Sequence, residues 1–353
     1  MLRSDLSLPI VVFFILVVGM ITLSTAAPNN EFGRQLIFLA LALASCTAVI
    51  WIGRRRLMRY AFPIYGLTIG LLGLTQLLGT EINGARSWLY IGPLPGFQPS
   101  ELAKLSLPLA LAIILHERPI RGLLDYLRPI VLIGVPFMLV FLEPDLGSAL
   151  VIAAIGGGVL LVRGIPWRHL LIFGVLFAVA VPTVVWPNLK AHQKDRLVVF
   201  LNPAADPQGS GYQVIQSTIA VGSGGLFGKG YRQGTQSQLG FIPQRQADFI
   251  FPVLAEEGGF VSATLLLLLY GLLFWRLVAM AGECPYERDQ LVIVGVLSFV
   301  SFQVIVNIGV SLGLAPVTGI TLPLVSYGGT SLVSTMIALS LAFVVHRDRY
   351  ADW

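Results

Sequence analysis

The stretch DFIFPVLAEEGGFVSATLLLLLYGLLFW, residues 248–275, decides the fold class of this chain. It is longer than the roughly 20 apolar residues that an α-helix needs to cross a bilayer. It nevertheless opens with Asp248 and carries the adjacent acids Glu256 and Glu257. Acidic side chains in a membrane-spanning segment are costly, and they mark functional or structural sites. The stretch therefore predicts a membrane helix with a polar entrance, and its three acids need an explanation.

The composition of the whole chain also indicates a membrane protein. Of the 353 residues, 56% are hydrophobic and only 12% are charged, and the mean hydropathy is +0.81. A soluble protein of this length could not bury so much apolar surface. Lipid offers no hydrogen bonds to the backbone, so spanning segments are helices or closed barrels. The sequence lacks the short alternating segments of a barrel, which leaves helices.

Ten apolar segments predict an all-α polytopic membrane protein formed by a single integral membrane domain, residues 1–353. The first segment shares features with a secretory signal, but its length and the spans that follow favour an uncleaved helix. One long extracytoplasmic loop, about residues 187–247, separates the seventh helix from the eighth. The predicted helices are 8–25, 36–52, 60–79, 101–116, 129–142, 146–162, 169–186, 248–275, 290–312 and 331–346.

Basic residues are distributed unevenly between the two sides of the predicted bundle. Cytoplasmic connections of membrane proteins carry an excess of Lys and Arg. The short connections on one side hold only Arg34 and Arg86. This bias predicts that both termini are cytoplasmic. The other side holds most of the 23 basic residues, namely Arg3, Arg54, Arg55, Arg56, Arg59, Arg118, Arg121, Arg128, Arg163, Arg168, Arg276, Arg288, Arg347 and Arg349.

The long outer loop is itself basic, and two interpretations of its charge remain open. Anionic lipid headgroups would attract it, and so would an anionic substrate at the outer surface. Its stretch GYQVIQSTIAVGSGG, residues 211–225, predicts a short helix in the membrane interface. That helix would place Val214, Ile215, Thr218, Ile219 and Gly222 on one face. The basic residues of the loop are Lys190, Lys194, Arg196, Lys229, Arg232 and Arg245, against Asp195 and Asp206.

The glycine-rich stretch GSGGLFGKG, residues 222–230, resembles a phosphate-binding loop but lacks the required pattern. That pattern would need glycine at Ser223 and a hydroxyl residue at Gly230. A flexible loop with tight turns is the simpler interpretation. A weaker role remains, because backbone amides and Lys229 are able to face a phosphate. Arg196 is a second phosphate candidate, since a planar guanidinium fits that group. Arg86, beside Trp88, is either an interfacial anchor or a substrate contact.

The acidic residues have structural interpretations beside the catalytic ones. Asp248 suits the N-cap of the eighth helix, and an ionised carboxylate there could also act as a general base. Glu256 and Glu257 are expected to be structural, with one of them meeting a buried cation or a polar helix. Asp145 is expected first of all to cap the sixth helix.

Glu101 and Lys104 are three residues apart, so they share a helix face that points inward. They form either a structural clamp or a part of the catalytic machinery. No His, Cys or carboxylate cluster has the spacing of zinc ligands. A divalent cation, Mg²⁺ or Mn²⁺, held by carboxylates and a pyrophosphate is compatible with the sequence. No organic cofactor is expected.

Six motifs, in this order across nearly the whole chain, resemble the shape, elongation, division and sporulation (SEDS) family, the RodA/FtsW proteins. The GTQSQL segment and the short termini resemble the elongation branch, RodA, more than the division branch. The stretch TLPLVSYGGTS departs from the commoner family pattern, so no role is assigned to Ser326. The motifs are NGARSWLYIG, FQPSELAKL, EPDLGSA, DPQGSGYQVIQSTIAVGSGGLFGKG, GTQSQLGFIPQRQADFIFPVLAEEGG and VTGITLPLVSYGGTS.

The resemblance implies a ten-helix peptidoglycan glycosyltransferase of the cytoplasmic (inner) membrane. Its substrate would be lipid II, and its partners a class B penicillin-binding protein and other membrane proteins of the elongation complex. The essential aspartate of the family falls on Asp248. Asp248 would then take the proton of the acceptor 4-hydroxyl, with Arg196, Lys229 and Arg232 stabilising the leaving pyrophosphate.

Two rival functions use the same features. A flippase that carries lipid II across the membrane would also have ten helices, inward acids and a basic outer loop. It would need a polar path to the inside, and the second, ninth and tenth helices offer almost no charges for one. A scaffold for a crosslinking enzyme would leave Asp248 and Lys104 without a purpose.

Overall fold

The computed structural model describes residues 6–27, 29–82, 85–90, 96–117, 122–180, 182–183, 186–188, 194, 198–200, 202 and 209–350. Two short helical pieces, Leu123–Tyr126 and Trp186–Asn188, and two strands, β1 (Thr80–Ile82) and β2 (Ala85–Trp88), accompany the main helices. The helices are α1 (Ser7–Ala26), α2 (Asn29–Arg59), α3 (Ala61–Leu78), α4 (Pro99–Glu117), α5 (Leu127–Leu142), α6 (Leu146–Gly164), α7 (Trp167–Ala180), α8 (Ser210–Ser223), α9 (Thr235–Gln238), α10 (Ile250–Glu283), α11 (Glu287–Ser311) and α12 (Gly329–Arg347).

Nine helices in the described part of the chain are long and apolar enough to cross a membrane, namely α1 to α6 and α10 to α12. The remaining predicted span, 169–186, overlaps α7, which has 14 residues and ends at Ala180; residues 181, 184 and 185 of that span lie outside the described ranges. The predicted class, a polytopic helical membrane protein, is therefore confirmed. The single domain over residues 1–353 and the limits of the loop at 187–247 stay predictions.

Helix α11 lies at the centre of the bundle and packs against α4, α6, α10 and α12. Small residues let membrane helices approach closely. At the crossing of α4 and α11, a Cβ added to Gly295 would lie 2.6 Å from the Cβ of Pro108. In an apolar stretch of 18 residues taken from each helix, 78% of the residues of α4 are buried, whereas only 17% of those of α2 are. The bundle therefore has an inner set of helices, and α2 lies at its periphery.

Helix α2 is longer than predicted and has a break near its end. It begins at Asn29 and runs to Arg59, where the sequence predicted 36–52. At Gly53 the backbone adopts φ 75° and ψ 160°, which interrupts the helix. A left-handed φ suits glycine because it has no Cβ. The arginine-rich residues after Gly53 therefore form a separate helical segment, where a connection was expected.

A small antiparallel hairpin corrects the expectation that all regular structure is α-helical. Strands β1 and β2 pair with Ile82 opposite Ala85 and with Glu81 opposite Arg86. The two residues between the paired Ile82 and Ala85 are Asn-Gly in the sequence, and this dipeptide is a strong signal for a two-residue hairpin. That signal was present in NGARSWL and was overlooked.

Helix α8 confirms the helix predicted in the glycine-rich outer loop, and it turns a different face toward the protein. Val214, Ser217 and Ala220 are buried, and α8 packs mainly on α10. Ile215 and Ile219 point the other way and are 38% and 44% exposed. Only Val214 of the predicted apolar face contacts the protein core, and the two isoleucines are left for a membrane interface.

Candidate active site

Asp248 lies immediately before α10 and is only partly buried. Helix α10 begins at Ile250, and its N-cap residue is Phe249. The prediction that Asp248 is the N-cap is therefore wrong by one residue. Phe249 is fully buried in an apolar cluster with Val214 and Ile242. The buried ring fixes the chain at this point, while the neighbouring carboxylate keeps access to the surface.

Three successive backbone carbonyls hold the segment that carries Asp248. The carbonyl of Gln246 accepts a hydrogen bond from the backbone N–H of Tyr327 (2.8 Å). The next one, of Ala247, accepts from Ser326 Oγ (2.5 Å). The third, of Asp248 itself, accepts from Asn307 Nδ2 (2.9 Å). The backbone of the carboxylate is therefore fixed to α11 and to the connection before α12, which is the preorganisation that a catalytic group requires.

The connection 312–328 between α11 and α12 forms one wall beside Asp248. Asn307 Nδ2 donates to the Ile320 carbonyl as well (2.7 Å), so one amide joins this wall to the start of α10. Gly319 has φ 74°. A Cβ added to it would lie 4.0 Å from Asp248 Oδ2. A larger residue at 319 would therefore narrow the space in front of the carboxylate.

Helix α6 places Asp145 close to the same wall. Asp145 is the N-cap of α6, and its Oδ1 accepts a hydrogen bond from the Ser148 N–H (3.0 Å). The capping role predicted for Asp145 is therefore confirmed. Its Oδ2 accepts from Gln98 Nε2 (2.9 Å), which ties α6 to the residue before α4. A Cβ added to Gly147 would lie 2.6 Å from the Thr318 carbonyl, so the start of α6 packs on the 312–328 connection.

Two arginines of the outer loop bind the carboxyl end of α1. Arg232 Nη2 donates to the Ser24 carbonyl (3.1 Å), and Arg245 Nε donates to the Ala26 carbonyl (2.9 Å). The last carbonyls of a helix lack partners within it and carry partial negative charge, so cations stabilise them. Arg245 Nη1 is buried and has no hydrogen-bond partner within the described part of the chain. The arginine three residues before Asp248 therefore has donor capacity to spare.

Glu256 is the buried acid that meets a cation. Its Oε1 lies 2.8 Å from Lys229 Nζ and accepts from the Gln236 N–H (2.8 Å), while its Oε2 accepts from the Ser237 N–H (2.9 Å). Glu257 Oε1 accepts from Gln238 Nε2 (3.0 Å). Both glutamates therefore attach the outer loop to α10, as their structural interpretation predicted.

The glycine-rich stretch closes a break in α10. At Gly259 the backbone has φ 69° and ψ −167°, which interrupts the helix and frees peptide groups on both sides. The Lys229 and Gly230 N–H groups donate to the carbonyls of Glu256 (3.0 Å) and Glu257 (2.9 Å). In return, the Phe260 and Val261 N–H groups donate to the carbonyls of Gly225 (2.8 Å) and Leu226 (3.1 Å).

This arrangement overturns one expectation about the outer loop. The amides of Lys229 and Gly230 were candidates to face a phosphate, and they bind helix carbonyls instead. A break in a membrane helix is tolerated only where its freed groups find partners. The glycines are needed because the two backbones nearly touch.

Alanine substitutions in this stretch should separate backbone strain from steric clash. Gly228→Ala is expected to lower the thermal midpoint most, because its φ is 78° and the new Cβ would lie 2.1 Å from the Glu257 carbonyl oxygen. Gly225→Ala meets no atom within 4 Å, but its φ is 57°, so only strain of about 1–2 kcal/mol applies. Gly222→Ala is the matched control, since it lies in α8 with nothing within 4 Å.

The midpoints would be measured on purified protein in detergent. We expect Gly222→Ala to be neutral or stabilising by up to about 1 kcal/mol, because alanine favours helix over glycine. Equal midpoints for the 222 and 228 variants would contradict the closure of the break by the glycine-rich stretch.

Glu101 and Lys104 form a buried ion pair inside the bundle, as their inward orientation predicted. Lys104 Nζ lies 2.6 Å from Glu101 Oε1, and the two residues are 3% and 5% exposed. Ser334 Oγ of α12 donates to Glu101 Oε2, and Lys104 Nζ lies 5.6 Å from the centre of the Phe299 ring of α11. The pair therefore joins α4, α11 and α12.

The whole chain was compared with known proteins. A family model described as cell cycle protein, FtsW/RodA/SpoVE, matches residues 3–351. This chain belongs to the FtsW/RodA/SpoVE family. Over 324 residues it is 37% identical to the peptidoglycan glycosyltransferase MrdB of Escherichia coli (strain K12), covering 90% of this chain and 85% of MrdB. Over 366 residues it is 34% identical to stage V sporulation protein E of Bacillus subtilis (strain 168), covering 99% and 98%.

Solved structures of FtsW/RodA/SpoVE relatives share the fold. One is a chain from a study of how a peptidoglycan synthase complex coordinates polymerization and crosslinking; it has a TM-score of 0.88, 48% identity and full coverage of both chains. Another is the rod shape determining protein RodA of Thermus thermophilus, with a TM-score of 0.77, 42% identity and 99% coverage of both chains. As in those relatives, the helices form a multi-pass protein of the cytoplasmic membrane.

The described candidates for substrate contacts of this FtsW/RodA/SpoVE protein lie at the end of the bundle that holds Asp248, in different surroundings. Arg232 lies there, beside α1. Lys229 lies nearby, but its charge is taken up by Glu256. Arg86 is exposed on β2, where its N–H donates to the Glu143 carbonyl (3.2 Å). Arg196 lies outside the described residues.

Sequence reasoning about this FtsW/RodA/SpoVE protein overlooked three residues that bear on the site. Ser326 and Asn307 were missed because a hydroxyl and an amide that bind a distant backbone leave no local signal. Arg245 was noticed as a flanking charge and was not proposed as a contact. No group of three or more His, Cys, Asp or Glu side chains within the described ranges is arranged to hold a metal ion.

Glu143, in the turn between α5 and α6 of this FtsW/RodA/SpoVE protein, is a buried carboxyl group. Its Oε1 accepts from Thr75 Oγ1 (2.5 Å), and its Oε2 has no hydrogen-bond partner in the described structure. Burial, with a smaller contribution from the charge of Asp145, raises the pKa of Glu143 from 4.5 to about 7, although the hydrogen bond from Thr75 opposes the shift. Because folding favours the protonated form, stability is expected to fall as the pH rises from 4.5 to 7.

The variant Glu143→Gln tests this pH dependence. The full cost in the wild type above pH 7 is about 3 kcal/mol, at roughly 1.4 kcal/mol for each pKa unit. The amide keeps an acceptor for Thr75 and does not titrate, so the variant should be the more stable protein at pH 8. Thermal midpoints between pH 5 and 8 would measure this. Glu81→Gln, an exposed glutamate in β1, is the control, and an unchanged slope in Glu143→Gln would refute the assignment.

Proposed function

We propose that the chain is a peptidoglycan glycosyltransferase that polymerises lipid II into glycan strands at the outer face of the cytoplasmic membrane. The observation that carries this proposal is the partly exposed carboxylate of Asp248 on a backbone fixed by three hydrogen bonds. The similarity to MrdB, a peptidoglycan glycosyltransferase, also supports the proposal. The charge distribution assigns this end of the bundle to the outer side. The likeness to RodA favours a role in cell elongation.

In the proposed reaction Asp248 is the general base. Its carboxylate accepts the proton of the acceptor sugar's 4-hydroxyl as that oxygen attacks the anomeric carbon of the donor. The new glycosidic C–O bond forms while the bond from that carbon to the pyrophosphate breaks. Undecaprenyl pyrophosphate leaves with the electron pair, and a single displacement inverts the anomeric centre. The attacking oxygen must lie within hydrogen-bond reach of the carboxylate.

The leaving pyrophosphate needs positive charge near Asp248. Arg245 and Arg232 are the best candidates in the described structure, because both are tied to the end of α1 by a single hydrogen bond to a carbonyl. Guanidinium groups keep several donors in a fixed plane, which suits a phosphate. Arg196 remains a candidate from the sequence. We assign Lys229 a structural role in place of the predicted substrate contact, because it is paired with Glu256.

A divalent cation would arrive with the substrate in this proposal. Within the described residues, no group of three or more His, Cys, Asp or Glu side chains, with or without Asp248, is arranged to hold a metal ion. Pyrophosphate oxygens are good ligands for Mg²⁺ and Mn²⁺. We therefore propose that the cation binds together with the pyrophosphate of the substrate.

We propose a class B penicillin-binding protein as the partner, together with further membrane proteins of the elongation complex. The similar chain from a peptidoglycan synthase complex that coordinates polymerization with crosslinking supports a transpeptidase partner. A polymerase that works beside a crosslinking enzyme would hand over each new strand at the outer membrane surface.

The experiment that tests the function uses purified protein in detergent with lipid II and Mg²⁺ or Mn²⁺. Glycan strands resolved by electrophoresis are the expected product. The same protein in liposomes should not speed the movement of fluorescent lipid II between leaflets. Movement without polymer would overturn the proposal in favour of the flippase. A second series of reactions includes the class B penicillin-binding protein. Comparing the two series measures whether the activity depends on this partner.

A further inference from the structure

A cleft opens where α2 breaks at Gly53, at the arginine-rich end of the bundle. It has a volume of about 400 Å³ and is lined by residues 51–56 together with Asp348. Gln35, in the same helix, donates to the Ser326 carbonyl and so marks the level of the active site. Residues 35 and 53 are separated by roughly 27 Å at 1.5 Å per residue. The cleft is therefore far from the site of Asp248.

Two of the arginines that line this cleft carry a charge that no acidic side chain in the described part of the chain compensates. Arg54 is 3% exposed and pairs with Asp289 at 2.5 Å. Asp348 is paired with Arg347 at 2.7 Å, so its negative charge is also compensated. Arg55 and Arg56 are exposed, and within the described part of the chain neither forms an ion pair. The cleft therefore presents net positive charge to its surroundings.

The other side of the cleft is apolar and faces outward. Trp51 is 80% exposed and Ile52 is 36% exposed. The guanidinium carbon of Arg56 lies 5.9 Å from the centre of the Trp51 ring. Tryptophan rings prefer the boundary between headgroups and acyl chains. The cleft thus combines exposed cations with an exposed tryptophan. The cations match the phosphate of a phospholipid, and the apolar side chains match its hydrocarbon.

We propose that this cleft binds the headgroup of an anionic phospholipid such as phosphatidylglycerol. Arg55 and Arg56 hold the phosphate, and the acyl chains run along Trp51 and Ile52. The break at Gly53 creates the site. In a continuous helix, the arginines after Gly53 would follow Trp51 along the same helix axis and no cleft would open between them. The pairing of Arg54 with Asp289 holds the floor of the site in place.

The test measures lipid binding to purified protein by native mass spectrometry during titration with phosphatidylglycerol or phosphatidylcholine. Phosphatidylglycerol is expected to bind more tightly to the wild type. Arg55→Gln and Arg56→Gln should each weaken it by about 10-fold, since a hydrogen bond to a charged group contributes about that much. Arg59→Gln is the matched control, because it removes an exposed arginine of the same helical segment that lies outside the cleft.

Three outcomes would overturn the proposal. Equal weakening by Arg59→Gln would show diffuse attraction to basic residues without a site. Equal binding of the two lipids would show that the headgroup charge is not recognised. Displacement of the lipid by millimolar inorganic phosphate would show that a soluble anion is the ligand. Thermal midpoints of the variants in phosphatidylcholine should match the wild type, which separates lost binding from lost folding.

Discussion

Asp248→Asn is expected to reduce the rate of glycan strand formation by about 100- to 10,000-fold, the range that a general base contributes. The substitution keeps the size of the side chain and replaces the proton acceptor with an amide. The backbone carbonyl of residue 248 still accepts from Asn307, and those of 246 and 247 still bind Tyr327 and Ser326. The fold should therefore persist, and only the chemistry should be lost.

The rate would be measured with purified protein, lipid II and divalent cation, with thermal midpoints recorded on the same samples. Asp145→Asn is the matched control, because it changes a carboxylate at the same end of the bundle that caps α6. That variant should keep most of the activity and lose about 1 kcal/mol of stability at most. A wild-type rate in Asp248→Asn would end the general-base assignment.

Lys104→Met is expected to cost about 3–5 kcal/mol of stability, because it leaves the Glu101 carboxylate buried without its cation. Glu101 is 5% exposed and keeps only the hydroxyl of Ser334 as a described partner in the variant. Three helices, α4, α11 and α12, would lose their common contact. We expect a lower thermal midpoint and a smaller yield of folded protein in detergent.

The double variant Glu101→Gln/Lys104→Met distinguishes a structural clamp from a catalytic part. Removing both charges is often neutral for stability, whereas removing one is not. A clamp predicts that the double variant recovers both its midpoint and its polymerase activity. Recovery of the midpoint without activity would assign the pair to the chemistry. A normal midpoint for Lys104→Met alone would contradict the account of the ion pair.

The sequence was sufficient for the features that depend on local chemistry. Long apolar runs define the membrane helices. For Asp248 the local sequence favours a helix cap, and the choice of this acid as the candidate base rests on the family resemblance. Asp145 was recognised as a cap because it follows Pro144 at the start of an apolar segment, and Asp is a preferred N-cap residue. The inward face of Glu101 and Lys104 follows from their spacing of three residues.

Features that depend on two distant backbones could not be predicted from the sequence. Glycine is common in membrane helices, so Gly53 and Gly259 do not by themselves indicate the two breaks. Lys229 looked like a substrate contact because its partner, Glu256, lies 27 residues away. Ser326 donates to a carbonyl across 79 residues, so nothing near it indicates its task.

The break at Gly259 divides α10 into two parts that face different demands. Residues 250–258 follow the segment of Asp248, and residues 260–283 form the remainder of the span; the glycine-rich stretch of the outer loop binds both parts. Bilayers differ in thickness, and helices accommodate this by tilting. In this chain the long part also reaches the wall beside Asp248, because Tyr270 Oη donates to the Pro323 carbonyl (2.5 Å). We therefore expect a change in its tilt to reach the aspartate, so that membrane thickness affects where the carboxylate stands.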